Sequence, residues 1–283
     1  MPTAIIDGIT TRYEIRGEGP PMLMFSPGGF DATIEKWSDL GIYARTKPLD
    51  HLSKHYTCIL FDRRECGESG GRIERVAWLD YATQGKGLLD HLGFEKAHLM
   101  GGCLGCAPVQ AFAIAWPQRI SSMVLYWPVG GAKYRISSRQ RFSDHLAFAA
   151  SRGLGDVVEL ALESKKSFGG DPRMGPWASV IRRSPEFAEH YAAFNPEDYR
   201  LIVTGMAHGL FDRDTAPGAE PEDLLRSRIP ALVIPGNDNS HATSAARYLA
   251  ECLPHSDYWD IAVENQSETA TATRLLEFLQ RHG

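Results

Sequence analysis

The chain has 283 residues and a mass of 31.3 kDa, which suits one large domain or a core domain that carries an insertion. Hydrophobic residues make up 43% and charged residues 23%, and the net charge of −5 does not favour binding to nucleic acid. No apolar stretch approaches the about 20 residues of a membrane helix, and residues 1–10 lack the pattern of a signal peptide. Five cysteines suit free thiols in a reducing compartment. Together with the lack of a long apolar stretch, this predicts a cytoplasmic protein without membrane contacts.

Short apolar runs followed by turn residues indicate parallel strands separated by helices. Four of them cover 21–25 (PMLMF), 57–61 (TCILF), 97–100 (AHLM) and 123–127 (MVLYW). A glycine turn and a helical pattern that stops at Pro117 follow the third run, which together form a βα unit. Near the C-terminus the pattern predicts a strand within 229–236, a helix over 244–254, a strand over 257–263 and a helix over 271–282. This alternation predicts an α/β fold with a mainly parallel sheet and helices on both faces.

The stretch between the fourth run and residue 229 differs in character. Residues 131–227 are rich in arginine, are interrupted by proline and glycine, and contain helical patterns such as DVVELALESKKSF. We therefore predict an inserted helical lid over 131–227, with a core domain formed by 1–130 and 228–283.

The glycine turn carries a candidate nucleophile. Residues 101–105 (GGCLG) follow the pattern G-x-C-x-G between a strand and a helix, which is a nucleophile elbow with cysteine where serine is usual. Flanking glycines are needed because side chains there would collide with the neighbouring strand and helix. The helix N-terminus favours the thiolate of Cys103 over its thiol. The other interpretation of this pattern is a small core residue between glycines.

Several further landmarks, in order along the chain, resemble the α/β-hydrolase fold family. Residues 26–30 (SPGGF) look like its oxyanion loop, residues 62–69 (DRRECGES) are similar to its D-x-R-G-x-G-x-S turn, and Gly236-Asn237-Asp238-Asn239 lies where the family carries its acid. The resemblance implies acyl transfer, in which Cys103 attacks a carbonyl carbon. The oxyanion would then be held by backbone N–H groups of Leu104 and of the Gly29–Phe30 region.

One departure from the family pattern concerns the general base. The resemblance places a histidine after the last strand, but residues 261–267 (IAVENQS) contain none. A cysteine tolerates this loss better than a serine, because some thiolate is present at neutral pH. Candidates to replace the base are Asp238 in the acid position, His241 in the same loop, Glu264 in the position of the missing histidine, and His208 of the lid.

The substrate is expected to be a small carbonyl compound. Trp127 after the fourth run, and Phe30 and Trp37 near the oxyanion loop, are candidate walls of its pocket, and His208 could contact it from the lid. Ester, thioester and lactone hydrolysis and the cleavage of an activated C–C bond all remain open. We predict no metal and no cofactor, and a homodimer stays open.

Two other classes of function compete with acyl transfer. Cys103 and Cys106 form a C-x-x-C pattern at the start of a helix, which is typical of dithiol redox sites. A protein without the usual histidine could also have kept the fold as a ligand-binding module and lost turnover. A redox site predicts a disulfide between the two cysteines, whereas a binding module predicts no adduct on Cys103.

Overall fold

The computed structural model describes residues 2–283 and contains an eight-stranded sheet. The strands are β1 (Thr3–Ile6), β2 (Ile9–Arg16), β3 (Pro21–Phe25), β4 (Thr57–Phe61), β5 (Ala97–Gly102), β6 (Ile120–Tyr126), β7 (Ala231–Ile234) and β8 (Ser256–Tyr258). Their order is β1-β2-β4-β3-β5-β6-β7-β8. The β1–β2 and β2–β4 pairs are antiparallel and all other pairs are parallel. The predicted mainly parallel sheet is therefore confirmed.

The central strands are the apolar runs found in the sequence, because parallel strands are buried on both faces. All six residues of β5 and all four of β7 are buried. The last strand is shorter than predicted: β8 ends at Tyr258 rather than at residue 263. Beyond it, Trp259 still donates a backbone hydrogen bond to Val233 (3.0 Å), and then the chain leaves the sheet. The carboxyl ends of the parallel strands meet at one edge, where ligand sites of open sheets lie.

Within residues 2–283, thirteen α-helices accompany the sheet. They are α1 (Lys36–Asp39), α2 (Gly41–Thr46), α3 (Pro48–Leu52), α4 (Trp78–His91), α5 (Cys106–Ala115), α6 (Ala132–Arg152), α7 (Leu154–Glu163), α8 (Ala178–Arg183), α9 (Pro185–Ala192), α10 (Pro196–Leu210), α11 (Pro221–Leu224), α12 (Thr243–Cys252) and α13 (Glu268–Arg281). Side chains of α4, α5 and α12 form one apolar core with the sheet, and those of α1, α2, α3 and α13 form another. Both faces of the sheet are thus covered, as predicted.

A third apolar core lies between the carboxyl edge of the sheet and the segment that joins β6 to β7. This segment, residues 132–224, contains α6 to α11 and is called the helical segment below. Its Phe142, Phe168 and Phe211 pack around Phe30 of the loop after β3, with ring centroids 5.4, 5.1 and 6.2 Å apart. Cys103 is packed against the same core. The helical segment therefore covers the edge where the candidate site lies.

None of the helices formed by residues 2–283 combines the length and the apolar character that a bilayer crossing requires.

Candidate active site

Cys103 lies in a sharp turn between β5 and α5. Its φ of +54° is in the left-handed region, which residues other than glycine seldom adopt and which is common at functional sites. A Cβ atom on Gly101 would lie 2.5 Å from the carbonyl oxygen of Gly105, and one on Gly105 would overlap the carbonyl oxygen of Phe25. The two glycines therefore allow the strand, the turn and the helix to pack this closely, and the turn presents Cys103 at the carboxyl edge.

Asp238 and His241 form a hydrogen-bonded pair in the loop after β7. The Nδ1 atom of His241 lies 2.8 and 2.9 Å from the two carboxylate oxygens of Asp238. The Oδ1 atom also accepts the backbone N–H groups of Ser240 (2.8 Å) and His241 (2.9 Å). The same carboxylate thus fixes both the backbone of the loop and the imidazole ring. The side chain of Asp238 is 50% exposed, whereas that of His241 is only 15% exposed.

The other ring nitrogen of His241, Nε2, is buried and has no hydrogen-bond partner among the described residues. The ring is close enough to Cys103 for each group to shift the pKa of the other. Burial lowers the pKa of His241, but the attraction of the Cys103 thiolate and then of Asp238 outweighs it and raises the pKa to about 9. This is the orientation expected of a general base in a nucleophile, histidine and acid triad.

The same pairing favours the thiolate of Cys103. Burial raises the pKa of this thiol, but hydrogen bonding and charge attraction from His241 outweigh the burial, so the pKa lies below its ordinary value. The backbone amides of Gly28 and Leu104 also lower it. By contrast, burial raises the pKa of Cys58 to about 12 and that of Cys66 to about 11. Cys103 differs from Cys66 because the attraction of His241 outweighs the burial of its thiol, whereas the attraction of Arg63 does not outweigh the burial of Cys66.

Two backbone amides are close enough to the sulfur to lower the pKa of Cys103. One is that of Leu104, which the resemblance implies as a donor. The other is that of Gly28, one residue before the Gly29–Phe30 region that the resemblance implies. Gly28 and Gly29 both have positive φ, +111° and +63°, so the turn here requires residues without a Cβ. The side chain of Phe30 lies in the apolar core under the helical segment.

Trp127 packs against the His241 ring, and a residue that the sequence did not single out holds the indole. The centroids of the two rings are 5.3 Å apart. The indole Nε1 donates to Oε1 of Gln266 (2.8 Å), and Nε2 of Gln266 donates to the carbonyl of Pro235 (2.7 Å). Gln266 is fully buried and lies in the stretch where the family pattern has its histidine. The only sequence signal for it was that missing histidine.

Three predicted site residues lie elsewhere. Glu264 is exposed in a short 3-10 helix, Val263–Asn265, and His208 is exposed in the last turn of α10. Trp37 is fully buried in the core, where its ring packs edge-to-face on Tyr43 (5.1 Å). A Cβ atom on Gly102 would lie 3.0 Å from both Trp37 and Tyr43, so these rings support the turn before Cys103 from below. In this structure Trp37 has no surface open to a substrate, which does not support its predicted role.

Cys106 is a structural thiol in this arrangement. It is buried, is not joined to Cys103, and donates to the carbonyl oxygen of Gly101 (3.1 Å). Burial, followed by the negative charge of Cys103, raises its pKa well above the ordinary value. A thiol of this kind is a poor attacking group in dithiol exchange. Among residues 2–283, no three His, Cys, Asp or Glu side chains lie together in a way that could hold a metal ion.

Comparison with known proteins gives the fold. A sequence model of the α/β hydrolase fold matches residues 21–148. The enol-lactonase of Burkholderia xenovorans has a TM-score of 0.62 at 19% identity, and the alignment covers 99% of this chain and 100% of that one. A hydrolase from Pseudomonas aeruginosa has a TM-score of 0.64 at 20% identity, covering 98% and 97%. The chain has the α/β-hydrolase fold.

Similarity in sequence covers a smaller part of this α/β-hydrolase-fold chain. The 2-hydroxy-6-oxo-6-phenylhexa-2,4-dienoate hydrolase of Comamonas testosteroni is 28% identical over 185 residues, which is 63% of this chain and 62% of that protein. The dihydrolipoyllysine-residue acetyltransferase component of the acetoin cleaving system of Cupriavidus necator is 30% identical over 158 residues, 56% and 39% of the two chains. The chain thus spans less than two thirds of the length of these curated relatives.

Proposed function

We propose that this protein is a hydrolase in which Cys103, His241 and Asp238 act as nucleophile, general acid–base and orienting acid. The observation that carries the proposal is the orientation of His241. Its Nδ1 is held by Asp238 at 2.8 Å, while its buried Nε2 faces Cys103. The missing histidine of the family pattern is then replaced within the loop that also supplies the acid.

The proposed reaction has two halves. The Cys103 thiolate attacks a carbonyl carbon, and the amides of Leu104 and Gly28 stabilise the oxyanion, where one such donor is worth about 3 kcal/mol. The His241 imidazolium then protonates the leaving group as the bond between carbonyl carbon and leaving atom breaks, which gives a thioester on Cys103. Neutral His241 next removes a proton from water, the water oxygen attacks the thioester, and the acid leaves as the thiolate–imidazolium pair re-forms.

The substrate is proposed to be a small ester, thioester or lactone, with an activated C–C bond as the second candidate. The names of the relatives favour both: one compared structure is an enol-lactonase, and a sequence relative is a 2-hydroxy-6-oxo-6-phenylhexa-2,4-dienoate hydrolase. The apolar core around Phe30 suits a substrate with an apolar or aromatic part.

Intact-mass spectrometry tests the proposal directly. The protein is exposed to activated esters, thioesters and lactones, quenched in acid, and analysed for an added acyl group. We expect the mass of the acyl group on Cys103 in the native chain and in Cys106→Ala, but not in Cys103→Ala. Hydrolysis that persists in Cys103→Ala would reject the nucleophile. Absence of an adduct together with saturable binding would favour a binding module, and loss of function in Cys106→Ala would favour a dithiol site.

A further inference from the structure

The loop after β4 carries a buried cation without an acidic partner. Arg63 is 4% exposed, and within residues 2–283 its one side-chain hydrogen bond runs from Nη2 to the sulfur of Cys66 at 3.6 Å. Its Nε and Nη1 atoms are buried and have no acceptor among these residues. No carboxylate of the described residues lies within 4 Å of this guanidinium, so the N–H donors of two of its nitrogens are unused. Burial of such a charge is costly unless a partner offsets it.

The neighbouring buried arginine, Arg64, has acidic partners, as expected of a structural ion pair. Arg64 is as deeply buried as Arg63, but its Nε lies 2.7 Å from Glu65 and its Nη2 pairs with Glu74. Glu65 attracts Arg63 at longer range, while its carboxylate is bound to Arg64. Of the two adjacent buried arginines, one is fully paired and the other keeps free donors.

The free guanidinium faces the apolar core that also covers Cys103. Its central carbon lies 4.4 Å from the ring centroid of Tyr81 and 5.7 Å from that of Phe30. Phe30 follows the glycines of the oxyanion loop, and its ring packs against the helical segment. Any ligand that enters between this segment and Cys103 therefore meets aromatic rings and one unpaired cation.

We propose that Arg63 binds a carboxylate group of the substrate, so that the site takes a carbonyl compound with an apolar body and a free acid group. The guanidinium offers two donor nitrogens, Nε and Nη1, for charge-assisted hydrogen bonds to carboxylate oxygens, and aromatic rings on its face hold its orientation. The placement of this subsite beside the reacting carbonyl rests on the function proposed above. The binding of a carboxylate by Arg63 does not depend on turnover.

Calorimetric binding of benzoate and of neutral benzamide tests the subsite without catalysis. We expect the native protein to bind benzoate at least tenfold more tightly than benzamide, because a charge-assisted pair replaces an unmet guanidinium. The preference should vanish in Arg63→Gln and fall by threefold or more in Arg63→Lys, which keeps the charge but loses the fork. Arg64→Lys is the matched control and should keep the preference within twofold. Equal binding of the two ligands by the native protein would overturn the proposal even if Arg63→Gln does not fold.

A kinetic comparison separates this proposal from the proposed function. Mono-p-nitrophenyl esters of dicarboxylic acids with four to eight carbons are compared with neutral alkanoate esters of the same lengths. We expect at least one acidic ester to have a higher kcat/KM than its neutral match, and Arg63→Gln to reduce that ratio at least tenfold. A ratio unchanged in Arg63→Gln with turnover intact would reject the carboxylate subsite alone. Benzoate binding that depends on Arg63 without turnover of any ester would reject the hydrolase alone.

Discussion

Replacement of His241 by glutamine tests the link between the histidine and the nucleophile. In the native protein the pKa of His241 is raised to about 9, so the imidazole keeps its proton below that pH and loses it above. At pH 7 it is an imidazolium, which favours the thiolate form of Cys103 over the thiol. Glutamine keeps a polar side chain of similar length but cannot carry the positive charge.

The size of the effect follows from what remains around the sulfur. Without His241, burial is the largest influence on Cys103 and raises its pKa, and only the amides of Gly28 and Leu104 oppose it. A thiol with the ordinary pKa of about 8.5 is roughly 3% thiolate at pH 7. The variant should have no more thiolate than this, whereas in the native protein the attraction of His241 lowers the pKa of the thiol and increases its thiolate fraction. We therefore expect alkylation at pH 7 to slow by more than about threefold.

The assay is the rate of iodoacetamide labelling of Cys103, followed by peptide mass spectrometry from pH 5 to 10. The midpoint of the native profile should lie below that of His241→Gln. His208→Gln makes the same substitution at an exposed histidine of α10 and should leave both rate and midpoint unchanged. A slowing of less than about threefold in His241→Gln, with native thermal unfolding, would refute the thiolate–imidazolium pair.

Other expectations follow from the same contacts. Asp238→Asn should lower the pKa of His241 below about 9 in an NMR titration and reduce kcat by about 10²-fold, the scale of general acid–base catalysis; an unchanged titration would contradict the pair. Ester hydrolysis should decline above pH 9 as the imidazolium is lost, while alkylation stays at its plateau; a parallel decline of both would contradict an acid role. Gln266→Leu should reduce stability by about 1–3 kcal/mol in urea unfolding, because the buried carbonyl of Pro235 loses its donor and the Trp127 Nε1 loses its acceptor. Glu264→Gln should change neither kcat nor stability, because Glu264 is exposed; a tenfold loss of kcat would restore it as a candidate base.

The sequence predicted the parts of the fold that depend on local pattern. The runs at 21–25 and 57–61 are strands with those bounds, because strands buried on both faces need continuous apolar residues. The first strand could not be found in this way, since it pairs antiparallel at the edge of the sheet with alternating exposed and buried residues over only four positions. The strand predicted over 257–263 was too long, because the end of β8 depends on tertiary contacts and not on composition.

The residues of the candidate site also differ in whether a local sequence pattern could predict them. Cys103 was found because the glycines around it are a local requirement of the turn, and the Asp238–His241 pair was found because its members are three residues apart in one loop. Gln266 acts through Trp127, which is 139 residues away in the chain, and no local pattern carries that contact. Trp37 shows the reverse error. An aromatic residue near a loop is equally suited to a pocket wall or to a core, and only the packing against Tyr43 and Gly102 decides between them.

The position proposed for the general base has a physical basis in the loop after β7. Asp238 accepts two backbone N–H groups of its own loop and is hydrogen-bonded to the imidazole, so the turn that positions this carboxylate also positions the His241 ring. His241 is further fixed by its bridge to Gly130 and by the indole of Trp127. Gln266, in the stretch where the family pattern has its histidine, accepts a hydrogen bond from that indole. The two stretches therefore still converge on one imidazole, although only one of them supplies it.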